Sequence, residues 1–434
     1  MTSRRPMVAA RPRSATNTLS FPLFVGAVHL VIVQLAASLA YRYGTSNSPS
    51  PPYQTMPPPH DGLANLLVDP LRTWDGLWYR LVALETYAPV DEVARERGFG
   101  FAKAAFWPLF PWTMRAVSDL TGISTDVAGY VIANVCFFIA LILLYKLIEL
   151  DFDDRIARGT LWALALFPTA FFFSAVYTES PFLMMVVGSL LAARRGNWWL
   201  AGAVGALAAL TRSYGMFLML PLAVLFIQDR GFYLRRMFPT GLAVGLPLLG
   251  PAIFSWHLDR VWGDPWGWRT VQNQWNRFSA MPWETMEYAF SQSPEGERIG
   301  VKDGADWGWI SDLFNNLSWS TVTSEPWRKA VADSDTLELV CTLLFFALAL
   351  VGLWKLPLYQ SVYLIPGLAV PLFQPSSVHA LMSMPRFGLT LFPLFVVIAI
   401  LLAGRPVIAR PLAVLSTLLL IVFTIQFAHW YWVS

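Results

Sequence analysis

Apolar runs of roughly 16 to 22 residues recur along nearly the whole of this 434-residue chain. In hydrocarbon no water is available to a backbone N–H or C=O, so a spanning segment must close its own hydrogen bonds. A helix of about 20 residues does this across the apolar core. The recurrence predicts an all-α polytopic membrane protein. Charged residues make up only 14%, against about 25% in soluble domains. A net charge of +3 gives no footprint for nucleic acid. The two cysteines, Cys136 and Cys341, both lie inside apolar runs, so the loops offer no disulfide framework or thiolate metal site. The first run, Phe21 to Tyr41, is too long for a signal-peptide core and no small-residue cleavage site follows it. It reads as a retained helix.

Residues 1–20 form a polar tail carrying Arg4, Arg5, Arg11 and Arg13, expected to stay in the cytoplasm. Residues 21–434 read as one membrane-embedded domain. Eleven spans are expected, at about 21–42, 126–148, 158–176, 179–194, 197–211, 214–228, 237–257, 335–355, 357–374, 386–403 and 406–428. This threading puts the N-terminus inside and the C-terminus outside. Each short inside connection then carries Lys or Arg: Lys146 to Arg158, Arg194-Arg195-Gly196, Asp229 to Arg236, Lys355, and Gly404 to Arg410. The short outside ones carry Arg212 alone, with Arg386 at an edge, as the positive-inside rule requires. Phe101 to Trp112 is apolar but broken by Pro108 and Pro111; it is placed as an interfacial or re-entrant piece, and if it spans, every later side inverts.

Two large outer loops result, about 43–125 and 258–335. The first opens with a Pro/Ser-rich stretch, Ser46 to Pro59, that cannot be a helix. Leu66 to Leu84 follows, with Trp74, Trp78 and Tyr79, and is expected to lie as a helix along the membrane surface. The second is net acidic, and Trp256 to Trp327 holds ten of the twenty tryptophans. Interfacial anchoring explains such tryptophans; aromatic faces also hold sugar rings and prenyl chains.

Five blocks stand out. They are Thr73-Trp74-Asp75-Gly76 running to Glu85-Thr86-Tyr87; Ala105 to Pro111; Phe167-Pro168-Thr169 through Tyr177-Thr178-Glu179-Ser180; Leu210-Thr211-Arg212-Ser213-Tyr214-Gly215; and Pro385-Arg386-Phe387 before an apolar run. In kind and order they resemble the GPI mannosyltransferase II (PIG-V) family and its bacterial relatives, integral-membrane glycosyltransferases of the GT-C class. Gly263-Asp264-Pro265-Trp266 through Gln274-Trp275-Asn276-Arg277 is also similar to the bacterial members. One departure is Thr86, where relatives usually carry a glycine before the tyrosine. The resemblance implies a GT-C fold and transfer of mannose, with inversion, from a polyprenyl-phosphate-mannose donor to a lipid or glycan acceptor. The work would be done at the extracytoplasmic face of a bacterial cell membrane, among membrane lipids, with no cofactor.

The residues can be read for that chemistry separately. Inverting transfer needs one base at the acceptor hydroxyl and positive charge beside the departing phosphate. Asp75 is the candidate base; the plainer reading is a helix N-cap for Gly76 to Leu84. Arg212 and Arg386 sit at outer ends of spans and can grip phosphate in a bidentate manner, or snorkel to headgroups. Arg80 is a third donor-phosphate candidate. Glu179 either orients Arg212 and acceptor hydroxyls or only favours a helix N-terminus. Trp74, Tyr177 and His379 complete the expected substrate-binding set, His379 being otherwise a solvated loop histidine.

Metal binding has little support: no HxxH or ExxH pattern occurs, and the DxD-like Asp151-Phe152-Asp153-Asp154 lies inside on this threading and reads as a solvated acidic turn. No P-loop or strand-linked GxGxxG points to nucleotide. The competing function is a transporter or flippase for a lipid-linked sugar, sharing helices, arginines and aromatics. It should show internal repeats and mid-membrane charges; no repeat is visible and the charges sit at span ends. A structural envelope subunit is the third option.

Overall fold

A computed structural model describes residues 19–43, 57–88, 101–231, 238–290 and 334–433. Most of the basic tail, most of the Pro/Ser-rich stretch and the outer segment from 291 to 333 lie outside the described residues. Among the described residues the chain is all-α, with no strand. Its main helices are α1 (Ser20–Tyr43), α2 (Gly62–Leu67), α3 (Asp75–Glu85), α4 (Leu109–Thr121), α5 (Thr125–Ile148), α6 (Asp154–Ala165), α7 (Glu179–Arg194) and α8 (Trp198–Thr211). They continue with α9 (Met219–Arg230), α10 (Leu249–Trp262), α11 (Pro282–Phe290), α12 (Ser334–Lys355), α13 (Leu358–Phe373), α14 (Met384–Leu389), α15 (Phe392–Leu402) and α16 (Pro406–Ala428).

Among the described residues five segments are long and apolar enough to cross a bilayer: Ser20–Tyr43, Thr125–Ile148, Leu242–Trp262, Asp335–Lys355 and Pro406–Ala428. The other expected spans are helical but shorter. At 16 residues, α7 rises about 24 Å, less than the ~30 Å hydrocarbon core. In the bundle α5 packs on α7 and on α1, α8 lies against α7, α15 against α6 and α12, and α16 against α1.

The expected 158–176 span is cut short. α6 ends at Ala165, and residues 166–178 run on as buried turns, with a 3-10 turn at Ala170–Phe173. Pro168 lacks an N–H, and its ring disfavours helix at the residue before it. The 386–403 span likewise divides into α14 and α15 ahead of Pro393.

The surface helix expected over Leu66 to Leu84 is not formed. The segment breaks into α2, a 3-10 turn at Asp69–Leu71 and α3, and Leu71, Leu77, Trp78, Tyr79 and Val82 are buried. They join an aromatic layer between the two outer segments. Trp78 stacks on Phe106 (ring centroids 5.6 Å apart), Tyr79 meets Phe106 and Phe110 edge-on, and Trp107 contacts Phe254 and Trp268. Offset and edge-on contacts of this kind add about 0.5–1.5 kcal/mol each beyond burial. Residues 101–112 lie in this layer, and α4, with 13 residues, is too short to span.

The DxD-like turn is solvated in part: Asp153 is exposed, whereas the Asp151 side chain is 7% exposed. Asp151 accepts from Arg194, from Tyr359 Oη (2.5 Å) and from Gln360 Nε2 (3.0 Å), Asp153 caps α6, and Asp154 pairs with Arg158. All three acids have structural partners.

A candidate active site

α3 begins at Asp75, and the residue preceding it, Trp74, holds φ +54° and ψ −118°. A tryptophan reaches that backbone region only when its surroundings impose it. The block Val176-Tyr177 does so. The Val176 N–H bonds Leu71 O (3.0 Å); the Tyr177 hydroxyl donates to Thr73 O (3.1 Å) and accepts from the Asp75 N–H (3.1 Å). Two of the sequence blocks therefore touch, one fixing the other's turn. Asp75 does not use its side chain to cap α3; the carboxylate faces Arg386 instead.

Arg386, on α14, is 5% exposed. Its Nη1 donates to Asp75 Oδ2 and its Nε to Glu179 Oε1. That same oxygen accepts from Arg212 Nη1 (2.5 Å). Glu179 is fully buried at the first residue of α7, and its Oε2 has no partner. The Arg386 guanidinium lies over the Tyr177 ring (4.5 Å) and that of Arg212 over Phe387 (5.1 Å). Two carboxylates thus balance two guanidiniums in a buried group, where charge is tolerated only when paired and hydrogen-bonded. Beside it the Tyr79 hydroxyl meets Thr178 Oγ1 (3.1 Å); burial pushes the Tyr79 phenol up to about 12, so it stays protonated.

Asp75, Arg212 and Arg386 open onto a cavity of about 180 Å³, lined also by Tyr79, Trp107, Tyr214, Trp268, Trp275, Arg277 and Trp432. Arg277 went unremarked as a site residue in the sequence, where it was only the last residue of a block. Its guanidinium donates to the carbonyls of Gln374 (2.9 Å) and Met382 (3.4 Å), and it makes no ion pair with a described carboxylate. Burial pulls it below its ordinary value; an arginine nonetheless stays a cation. The signal that could have found it is an Arg two residues after Trp275 in a tryptophan-rich outer segment. Below Arg212 the cavity meets an apolar recess walled by Phe182, Phe217, Tyr363, Phe387 and Leu391.

Three expected residues stand apart. Arg80 Nε lies 3.2 Å from Asp126 Oδ2, in a separate ion cluster with Arg72, Asp69 and His60, and does not line the cavity. Trp74 packs against Trp430 and Trp432. His379 is not a solvated loop residue: its Nδ1 meets Asp335 Oδ1 (2.8 Å) and its ring stacks on Trp432.

Residues 103–256, about a third of the chain, match the family model described as dolichyl-phosphate-mannose-protein mannosyltransferase. The matched stretch holds Tyr177, Glu179 and Arg212 but neither Asp75 nor Arg386. No curated protein matches. Among solved structures the chain is similar to the apo Archaeoglobus fulgidus oligosaccharyltransferase, at 13% identity and TM-score 0.44, covering 96% of this chain and 56% of that one. It is also similar to ArnT from Cupriavidus metallidurans bound to undecaprenyl phosphate, at 14% identity and TM-score 0.39, covering 91% and 79%. The chain thus spans little more than half the length of the oligosaccharyltransferase.

Proposed function

We propose that this chain is an inverting glycosyltransferase that takes a sugar, mannose by family, from a polyprenyl-phosphate donor at the extracytoplasmic face. One observation carries the reading. A carboxylate at the head of a short helix shares a single cavity with four arginines, Arg212, Arg269, Arg277 and Arg386, and an apolar recess opens beside Arg212. The family model over 103–256 supports the same class.

The charge balance explains the division of labour. Asp75 and Glu179 neutralise Arg212 and Arg386, which leaves Arg277 and the exposed Arg269 as surplus cations at the cavity wall. A phosphate entering there meets Arg277 and competes with Asp75 for Arg386. Drawing Arg386 toward the phosphate releases the Asp75 carboxylate to the acceptor. The acceptor oxygen then attacks the anomeric carbon from the side opposite the phosphate. Its proton passes to Asp75, the C1–O bond breaks, and polyprenyl phosphate leaves with its new charge held by the arginines. Trp268 and Trp275 line the cavity and offer faces to a sugar ring.

The test is transfer of labelled mannose from polyprenyl-phosphate-mannose into lipid or glycan by membranes holding equal amounts of wild type and Asp75→Asn. A fall of at least about a hundredfold is expected, the low end for loss of a catalytic base. Equal transfer by both forms would remove Asp75 from the chemistry, and a flippase would keep its activity in the variant.

A further inference from the structure

Behind the cavity, on the side away from Asp75, lies a second group of ionisable side chains. Asp335 and Glu338 are three residues apart on the first turns of α12, and so share one face of it. His379 comes from the loop between α13 and α14. One ligand atom from each of the three lies within 4.8 Å of the others. Glu338 is fully buried; its Oε1 accepts from the Ser383 N–H (3.2 Å) and its Oε2 has no partner at all. A buried carboxylate oxygen without a donor calls for a cation, and the nearest guanidinium, Arg277, is spent on the carbonyls of Gln374 and Met382.

We propose that Asp335, Glu338 and His379 hold a divalent cation of the Mn²⁺-to-Zn²⁺ class. Two carboxylates and one imidazole are a mixed oxygen and nitrogen set that suits such ions. Ligand atoms on one ion with bonds of about 2.0–2.2 Å sit about 3–3.5 Å from each other, so side-chain rotation closes the remaining gap. The ion's charge cancels both carboxylates. Asp335 and His379 keep side-chain exposures of 16% and 23%, which leaves an entry path and room for water ligands. The ion replaces the direct Asp335–His379 hydrogen bond: the neutral imidazole carries its proton on Nε2 and turns the Nδ1 lone pair to the metal, and because a protonated imidazole must first lose a proton to solvent, binding weakens as pH falls.

The site touches neither substrate, and its effect is positional. It ties α12 to the loop that supplies both carbonyl partners of Arg277 and runs directly into Arg386. Among the described residues the loop is also tied by backbone bonds to residues 276–280, by Ser376 Oγ to Trp275 O (3.0 Å), by the His379 ring on Trp432, and by Ala380 and Leu381 in the core.

The full chain, purified in detergent without a histidine tag and stripped with EDTA, is titrated with Mn²⁺, free ion being read by EPR. One bound Mn²⁺ per chain is expected, displaced by Zn²⁺, with affinity at least tenfold weaker in His379→Ala and Glu338→Gln. Pulsed EPR on the wild type should show ¹⁴N coupling from one imidazole, a readout that needs no variant to fold and no transferase activity. Binding below one ion per chain, equal binding by His379→Ala, or absence of the nitrogen coupling would each overturn the proposal.

Discussion

Replacing Glu179 by Gln would leave two guanidiniums sharing one carboxylate, Asp75, in a site almost shut off from water. Removing one partner of a buried ion group costs about 3–5 kcal/mol. Glu179→Gln should therefore lower the thermal unfolding midpoint in detergent sharply, with activity lost as a consequence. Asp75 is different, with 18% of its side chain exposed. An Asn there still offers a carbonyl oxygen to Arg386, so Asp75→Asn should unfold near the wild-type temperature while transfer collapses. An unfolding drop in Asp75→Asn as large as in Glu179→Gln would sink this division into a base and a scaffold. Tyr177→Phe removes one hydroxyl that makes two hydrogen bonds to the Thr73–Asp75 turn. At about 0.5–1.5 kcal/mol per bond, a loss of transfer of about tenfold is expected, seen in kcat rather than KM. At this scale much was legible in advance: an Arg or Glu at the end of an apolar run has few reasons to be there. Arg277 was not, because a cation in a polar outer segment has many harmless explanations, and only packing shows that this one is half-buried at the cavity wall with carbonyls, not a described carboxylate, as its hydrogen-bond partners.

The helices α1, α5, α7, α8, α12 and α16 begin and end within two residues of the apolar runs that announced them, since an apolar run out of reach of water satisfies its backbone only as a helix. The outer segments were harder. Their aromatic residues pack on partners more than a hundred residues away, as Trp78 does on Trp275, and no local period reports that. Hence Leu66 to Leu84 was expected on the membrane surface and is instead folded inward. Thr86 is a local case with a measurable consequence. It ends α3 with φ +56° and ψ −150°, a region populated almost only by glycine, and the sequence had flagged this position as one where relatives carry glycine. Such strain costs about 1–3 kcal/mol, against roughly 0.5–1 kcal/mol for the added freedom of glycine in the unfolded chain. Thr86→Gly should raise the unfolding midpoint by a few degrees. An unchanged or lower midpoint would mean that the chain relaxes at Thr86 in solution. Gly215 is the converse: a Cβ there would sit 2.2 Å from the Ala209 backbone nitrogen, so Gly215→Ala should disturb the turn that carries Arg212 and cut folded yield.

Across the whole molecule the charges separate by end. Glu179 opens α7 in the cavity cluster, and Arg194 closes it in the cluster with Asp151 and Tyr359. Fifteen steps of helix put these ends about 22 Å apart, so the acid, the arginines and the tryptophan-lined cavity sit together on one side of the bundle. The segment ends rich in unneutralised Lys and Arg fall on the other. The topology proposed from the positive-inside rule turns the cavity outward, where the proposed membrane-anchored donor and an acceptor beyond it would meet over Asp75. Because Cys136 and Cys341 are both buried, single introduced cysteines can report the orientation. Thr270 is exposed beside the cavity-lining Arg269 and Gln272, and Arg195 is exposed at the opposite end of α7. In intact cells a membrane-impermeant maleimide should label Thr270→Cys and leave Arg195→Cys unlabelled until the membrane is opened. The reverse pattern would turn the cavity to the cytoplasm. The proposed acceptor side would then be wrong, while the geometry of Asp75 and its arginines, and the reaction assigned to them, would stand.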